Sequence, residues 1–178
     1  MIKKLFISLL IFLMFPVIGR CLEYVEFTLT TYDNTDYDIT YYRNYEKIAK
    51  QYYKNDKLVK MTGKLPDGKI KLVNFNNLPV AIINVKNNKF DGKCVFLQRK
   101  YSTRFSPPYE KVKSVYKNGV LNGVTEIFNT NGDVDFRLNY KNGVLDGESV
   151  FFDYEANEKK VVEFKNGEKY SERILKIK

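Results

Sequence analysis

The 178-residue sequence has no histidine, no tryptophan and only two cysteines. Without histidine there is no Ser-His-Asp or Cys-His nucleophile and no imidazole-ligated zinc or iron. Beyond residue 21 Cys94 is the only thiol, which excludes a disulfide framework and a thiolate metal site from that part of the chain. It precedes Val95-Phe96-Leu97 and reads as a small buried hydrophobe rather than a nucleophile. No apolar run is long enough to span a bilayer, which takes roughly 20 residues; Leu5 to Ile18 is 14. The glycines sit at turn positions with no helix after them, so they form no phosphate-binding loop. Asp33, Asp36 and Asp38 come closest to a cation cluster, but the run lacks the glycine and distal glutamate of a calcium loop and reads as a polar turn. Asp133 and Asp135 fall on the polar side of a strand. These absences leave no expected catalytic, cofactor or metal residues, and the chain is not read as an enzyme.

The first residues have a different character. Lys3 and Lys4 precede an apolar stretch from Leu5 to Phe15, broken only by Ser8, and Pro16 to Gly19 follow as a breaker ending in a small residue. That pattern predicts an export signal over 1–21, cleaved after Gly19 or after Cys21. Cys21 raises the question of lipidation. Arg20 argues against it, because the residue before a lipidated cysteine is normally small. The expected destination is the periplasm, the outer envelope or the exterior.

The full chain carries +9. Removing Lys3, Lys4 and Arg20 with the signal leaves 27 basic against 21 acidic residues, or +6. A moderate positive balance is compatible with an anionic lipid or glycan surface or an acidic protein. Export makes nucleic acid a poor partner, and the lysines are spread along turns rather than gathered in one run.

What is present in abundance is a repeat. Tyr116-Lys-Asn-Gly-Val-Leu-Asn-Gly123 recurs as Tyr140-Lys-Asn-Gly-Val-Leu-Asp-Gly147, and Phe164-Lys-Asn-Gly167 opens on the same beat, a period of 24 residues. Fixed-period similarity of this kind predicts stacked supersecondary units. Each unit holds two turn signals, Lys117-Asn118-Gly119 and Thr130-Asn131-Gly132 in the clearest copy. Asn-Gly supplies the positive φ of a tight hairpin turn, so each unit reads as two short antiparallel strands. Gly119, Gly123, Gly132, Gly143, Gly147 and Gly167 are the expected structural glycines. The second hairpin tip is degraded to Ala156-Asn157, and Tyr170 to Ile177 can close the array as a charged edge strand.

Upstream the period blurs but turns persist at Asn55-Asp56, Pro66-Asp67-Gly68 and Asn76-Asn77, while Lys86 to Gly92 is a diverged copy of the turn motif. Ser102 to Pro108 reads as a loop inserted at a hairpin tip and stiffened by Pro107-Pro108. Residues 42–53 fit a helix through Tyr45, Ile48, Ala49 and Tyr52, and equally begin a hairpin; tyrosine-rich composition favours the strand. Residues 23–41 resemble an irregular hairpin about Asp33-Asn34.

The Y-K-N-G-V-L-[ND]-G units, each followed by an aromatic strand, resemble the bacterial variant of the MORN repeat. The match is specific over 116–167, looser over 45–115 and missing from 22–44. The resemblance implies an all-β array of hairpins in an elongated, twisted, single-layer sheet. It divides the chain into a signal at 1–21, an N-terminal β segment at 22–44 and a repeat domain at 45–178. It also implies antitoxin-like roles for bacterial members and membrane or scaffold roles for others, with no catalytic motif to transfer. Ala156-Asn157, Asp56 and the Ser102–Pro108 insertion depart from the pattern.

A single-layer sheet leaves an apolar face that something must cover. Phe128, Phe136, Tyr140, Phe152, Tyr154 and Phe164 are the candidate interaction face, to be covered by the curl of the sheet, the N-terminal segment, a second copy or a ligand. The resulting expectation is an exported, non-enzymatic scaffold that binds another protein in the bacterial envelope. An antitoxin or immunity-like protein and a peripheral binder of anionic lipid or glycan are the alternatives.

Overall fold

The structure is a computed structural model describing residues 22–32, 35–55, 57–74, 76–99 and 106–177. The expected export signal at 1–21, Asp33 of the acidic run, Asp56 and residues 102–105 of the expected insertion lie outside the described residues. Among the described residues there are sixteen strands and no helix. The first eight are β1 (Glu23–Thr31), β2 (Tyr37–Arg43), β3 (Glu46–Lys54), β4 (Lys57–Gly63), β5 (Gly68–Val73), β6 (Pro79–Lys86), β7 (Lys89–Phe90) and β8 (Gly92–Arg99). The rest are β9 (Pro108–Lys117), β10 (Val120–Leu121), β11 (Gly123–Phe128), β12 (Val134–Lys141), β13 (Val144–Leu145), β14 (Gly147–Asp153), β15 (Glu158–Lys165) and β16 (Glu168–Lys176). Residues 42–53 are therefore strand, turn and strand, which removes the helical alternative.

All strands belong to one open sheet, in the order β16-β15-β14-β12-β11-β9-β8-β6-β5-β1-β2-β3-β4, with β7, β10 and β13 paired to β6, β9 and β12. From β5 to β16 the chain is a plain antiparallel meander. The 24-residue beat comes from two kinds of turn that alternate along it.

The first kind is a two-residue turn in which both residues have positive φ: Asn118 and Gly119 at 52° and 88°, Asn142 and Gly143 at 51° and 87°, Asn166 and Gly167 at 52° and 89°. Asn87 and Asn88 repeat it at 50° and 63°, and Asn44 and Tyr45 at 52° and 65°. Asparagine tolerates this region because its short amide side chain bonds locally. The second kind is a loop closed by one side chain. Asn129 Oδ1 accepts from the N–H groups of Asn131 (2.9 Å) and Asp133 (3.0 Å), and Asn74 Oδ1 does the same for Asn76 and Leu78. Gly132 takes the left-handed position in one loop and Asn77 in the other. At the degraded tip Asn157 fills that role with φ 54°, while Asp153 Oδ1 accepts from Ala156 N–H.

Successive tight turns are also bonded to one another. Gly119 N–H donates to Phe90 O, Gly143 to Leu121 O and Gly167 to Leu145 O, at 2.8–2.9 Å. Beside each of these bonds an asparagine N–H finds a side chain of the preceding unit: Asn118 to Asp91, Asn142 to Asn122 and Asn166 to Asp146, at 3.1–3.2 Å. The Asn or Asp of the motif thus satisfies the backbone of the next turn. The glycine after it serves a bulge. Between Leu121 and Glu126 five residues advance while Tyr116 to Lys113 advances three, and Gly123 in this stretch has φ 123°. An aromatic stands opposite each such glycine: Tyr116 across from Gly92, Tyr140 from Gly123 and Phe164 from Gly147.

The N-terminal strands depart from the meander. β1 pairs antiparallel with β2 but parallel with β5, through Glu23↔Ile70 to Glu26↔Val73. The sheet rolls here, so that β3 and β4 come back against the β6–β7 turn. Asn88 fastens the roll: its Oδ1 accepts from Leu65 N–H (2.8 Å) and its amide donates to Gly63 O (3.3 Å). The enclosed core comprises Val25, Tyr41, Ala49, Leu65, Ile70, Leu72, Ala81, Ile83, Val85 and Cys94. The parallel pairing and the roll were not expected from the sequence. The expected boundary at 44/45 falls inside the turn between β2 and β3.

Gly63 is the tightest point of the roll. It has φ 76°, and a Cβ there would lie 2.1 Å from Ile48 O, whereas at Gly143 the nearest neighbour would be at 3.7 Å. Gly63→Ala therefore meets backbone that cannot yield, and Gly143→Ala meets only the left-handed strain, about 1–3 kcal/mol. Chemical denaturation is expected to show a larger loss for Gly63→Ala than for Gly143→Ala; the reverse order would mean that the roll is not held at Gly63.

Candidate interaction surface

Residues paired across neighbouring strands share a face. Following the register from the core outward, the inner face runs through Ile83 and Ala81, Cys94 and Phe96, Ser114 and Val112, Thr125 and Ile127, Leu138 and Phe136, Ser149 and Phe151, and Val162. It is one continuous surface from the rolled half into the repeats. In the rolled half β1–β4 close over it. The core cluster they enclose reaches Cys94, with Phe96 and Tyr116 packed against it, and takes in no residue past β9.

The register divides the six aromatics singled out from the sequence. Phe136, Tyr140 and Phe164 lie on the inner face, and Phe151 joins them, opposite Phe136 with ring centroids 5.7 Å apart at 76°. Phe128, Phe152 and Tyr154 belong to the outer face. Phe128 lies past a bulge after Ile127, under the Lys113 ammonium at 4.7 Å. Phe152 stacks on Tyr154 at 5.9 Å, and the Tyr154 hydroxyl donates to Val134 O. The six are not one patch. Phe151 and Ile127 are inner-face residues that sequence reading left out; the signal for them was the pairing register, which sets both opposite Phe136.

The outer face is also where the charges are matched. Arg137 pairs with Glu126 at 2.9 Å and Arg173 with Glu148 at 2.5 Å. These exposed pairs add little stability, a fraction of 1 kcal/mol each. The inner face in the middle of the sheet carries small polar side chains instead: Thr125 donates to Ser114 at 3.2 Å, and Ser149 Oγ accepts from Asn139 N–H.

Asp38 turns out not to be a solvated turn residue. It is 4% exposed, and its Oδ2 holds the Lys50 ammonium at 2.6 Å and the Tyr32 hydroxyl at 2.5 Å. Asp36 is occupied as well, its Oδ1 accepting from Asn55 N–H at 2.9 Å. Among the described residues no group of three potential ligands converges. Cys94 is buried beneath the sheet, and burial pushes its thiol up, away from the thiolate form. All six expected structural glycines have positive φ, four in turns and Gly123 and Gly147 at the bulges.

No known protein family matches the chain, and the comparisons with curated proteins and with solved structures likewise give no match.

The Lys50 and Tyr32 hydrogen bonds hold the Asp38 carboxyl below its ordinary range, and Asp38 in turn raises Lys50. The carboxylate's contribution is complete above the unfolded value, about 3.9, and is lost as pH falls through its lower folded value. The lysine's contribution persists below about 10.4 and is lost only as pH rises beyond its folded value. Asp38→Asn is therefore expected to flatten the acid limb of the melting temperature between about pH 5 and pH 2. A limb as steep as that of the parent protein would show that Asp38 is not a site of acid sensitivity.

Proposed function

We propose that this chain is an exported, non-enzymatic β-repeat scaffold of the MORN-like kind, and that it binds another protein through the inner face of its C-terminal repeats. One observation carries the reading: the face that β1–β4 close over in the first half continues, aromatic and beyond the enclosed core, across β11, β12, β14 and β15. Phe136 is 38% exposed there, beside Phe151, Tyr140 and Leu138. A surface built to be half of a packed layer gains most from a partner that supplies the other half. Rings already held by a sheet lose little entropy on docking. The turn lysines, Lys117 and Lys141, are solvated and contribute mainly to encounter.

The test is a comparison of two variants in capture of a protein that crosslinks to the native chain. Phe136→Ala with Phe151→Ala is expected to weaken capture by about thirtyfold per ring, the scale of an interface anchor at about 2 kcal/mol. Lys117→Gln with Lys141→Gln is expected to change it by only a few fold, with the effect fading in salt. Melting curves establish that both variants are folded. Loss of capture by the lysine variant, with full retention by the folded aromatic variant, would replace the protein-binding reading with an anionic-surface one.

A further inference from the structure

The rolled half has an opening with a chemistry of its own. Where β3 and β4 approach the β6–β7 turn, Gln51, Tyr53, Leu58, Asn88, Phe90 and Tyr116 line a cavity of about 360 Å³, with Lys89 and Gly119 at its border. That volume is at the small end for ligand sites, about 300–1,000 Å³. The rings are fixed before anything binds. Tyr53 is stacked on Tyr37 at 4.6 Å, and Phe90 meets Tyr116 edge-on at 5.4 Å.

The polar groups of the cavity are unevenly used. Gln51 is 5% exposed, and its carbonyl oxygen accepts from both Tyr41 (2.8 Å) and Tyr53 (3.3 Å). Among the described residues its amide nitrogen finds only the Met61 sulfur, at 3.8 Å, a weak acceptor for a buried donor. The Tyr116 hydroxyl has no hydrogen-bond partner among the described residues, and Lys89 has no ion pair among them. No lining residue is acidic. The cavity therefore offers aromatic walls, two neutral donors, one weakly bonded and one without a partner among the described residues, and one cation without an ion pair among them.

We propose that this cavity is a binding site for an acidic saccharide, a pyranose ring bearing a carboxylate. The C–H faces of such a ring pack on Tyr53, Phe90 and Tyr116. Its hydroxyl and ring oxygens accept from the Gln51 amide and the Tyr116 hydroxyl, and its carboxylate meets Lys89. A neutral sugar leaves the lysine unanswered, and a flat aromatic acid leaves the two neutral donors unanswered. Tyr116 belongs to the same inner face as Ser114, but the cavity shares no residue with the Phe136 and Phe151 pair, so different variants test the two readings.

Titration calorimetry of the full chain with digalacturonate, maltose and benzoate tests it. Digalacturonate is expected to bind at least tenfold more tightly than either of the others. Tyr116→Phe, which keeps the ring, should weaken digalacturonate about fivefold, the worth of one neutral hydrogen bond, with an unchanged melting temperature. Lys89→Gln should remove the preference over maltose, Lys159→Gln on the outer face should change nothing, and Phe136→Ala with Phe151→Ala should leave binding intact. No heat with digalacturonate, equal binding of maltose or benzoate, or parental affinity in both folded Tyr116→Phe and Lys89→Gln would overturn the assignment.

Discussion

The backbone at Asn118, Asn142 and Asn166 is left-handed, and most of the architecture depends on that. Two consecutive residues at positive φ give a turn whose twist matches the right-handed twist of the flanking strands, so the hairpins stack without splaying. The same turns present N–H groups that point away from their own hairpin. Gly119, Gly143 and Gly167 donate to Phe90, Leu121 and Leu145, and the asparagines beside them donate to Asp91, Asn122 and Asp146. Each turn is thus closed by the unit before it. A shift of one unit against the next by a single residue would break both bonds and exchange the faces, so the turn ladder also determines which side chains point inward.

Local features were legible and distant ones were not. The period, the turns and the left-handed glycines are encoded within eight residues, and a short sequence motif is sufficient to specify them. Asn157 at the degraded tip and Asn77 upstream show that the code is conformational rather than literal, since either residue fills the place of a glycine. The face of an aromatic is harder. Phe128 and Phe136 are eight residues apart and each lies on the greasier side of its own strand, yet the register sets Ile127 opposite Phe136 and so leaves Phe128 outside with Glu126. The parallel pairing of β1 with β5 joins segments more than forty residues apart, with no motif in either. Gly63 and Leu65, which hold the roll, look like ordinary loop residues in the sequence.

One continuous face therefore has two fates. In the first half, Val25, Tyr41 and Ala49 bring apolar side chains from β1, β2 and β3 to the interior, and Asn88 ties the far end down. A cooperative core results, with Leu65, Ile70 and Ile83 fully buried. In the second half the aromatic side chains continue past the end of that core. Stability there rests on neighbour-to-neighbour terms, as in other repeat arrays, and strands near the C-terminal end are the ones expected to open first.

The end of the array is written in the same code. In the fourth copy of the motif Val, Leu, Asn or Asp, and Gly become Glu168, Lys169, Tyr170 and Ser171. A tyrosine cannot reach back to accept the N–H of a following turn as Asp146 does. With serine in place of glycine the bulge shrinks: from Lys169 to Ser171 is two residues against one from Phe164 to Glu163, where earlier copies set five against three. Lys169 and Glu172 pair with each other at 2.9 Å, placing charge along the last strand. Charged, twisted edges resist the addition of another strand. The side chains of β16 thus discourage the addition of another strand at its edge.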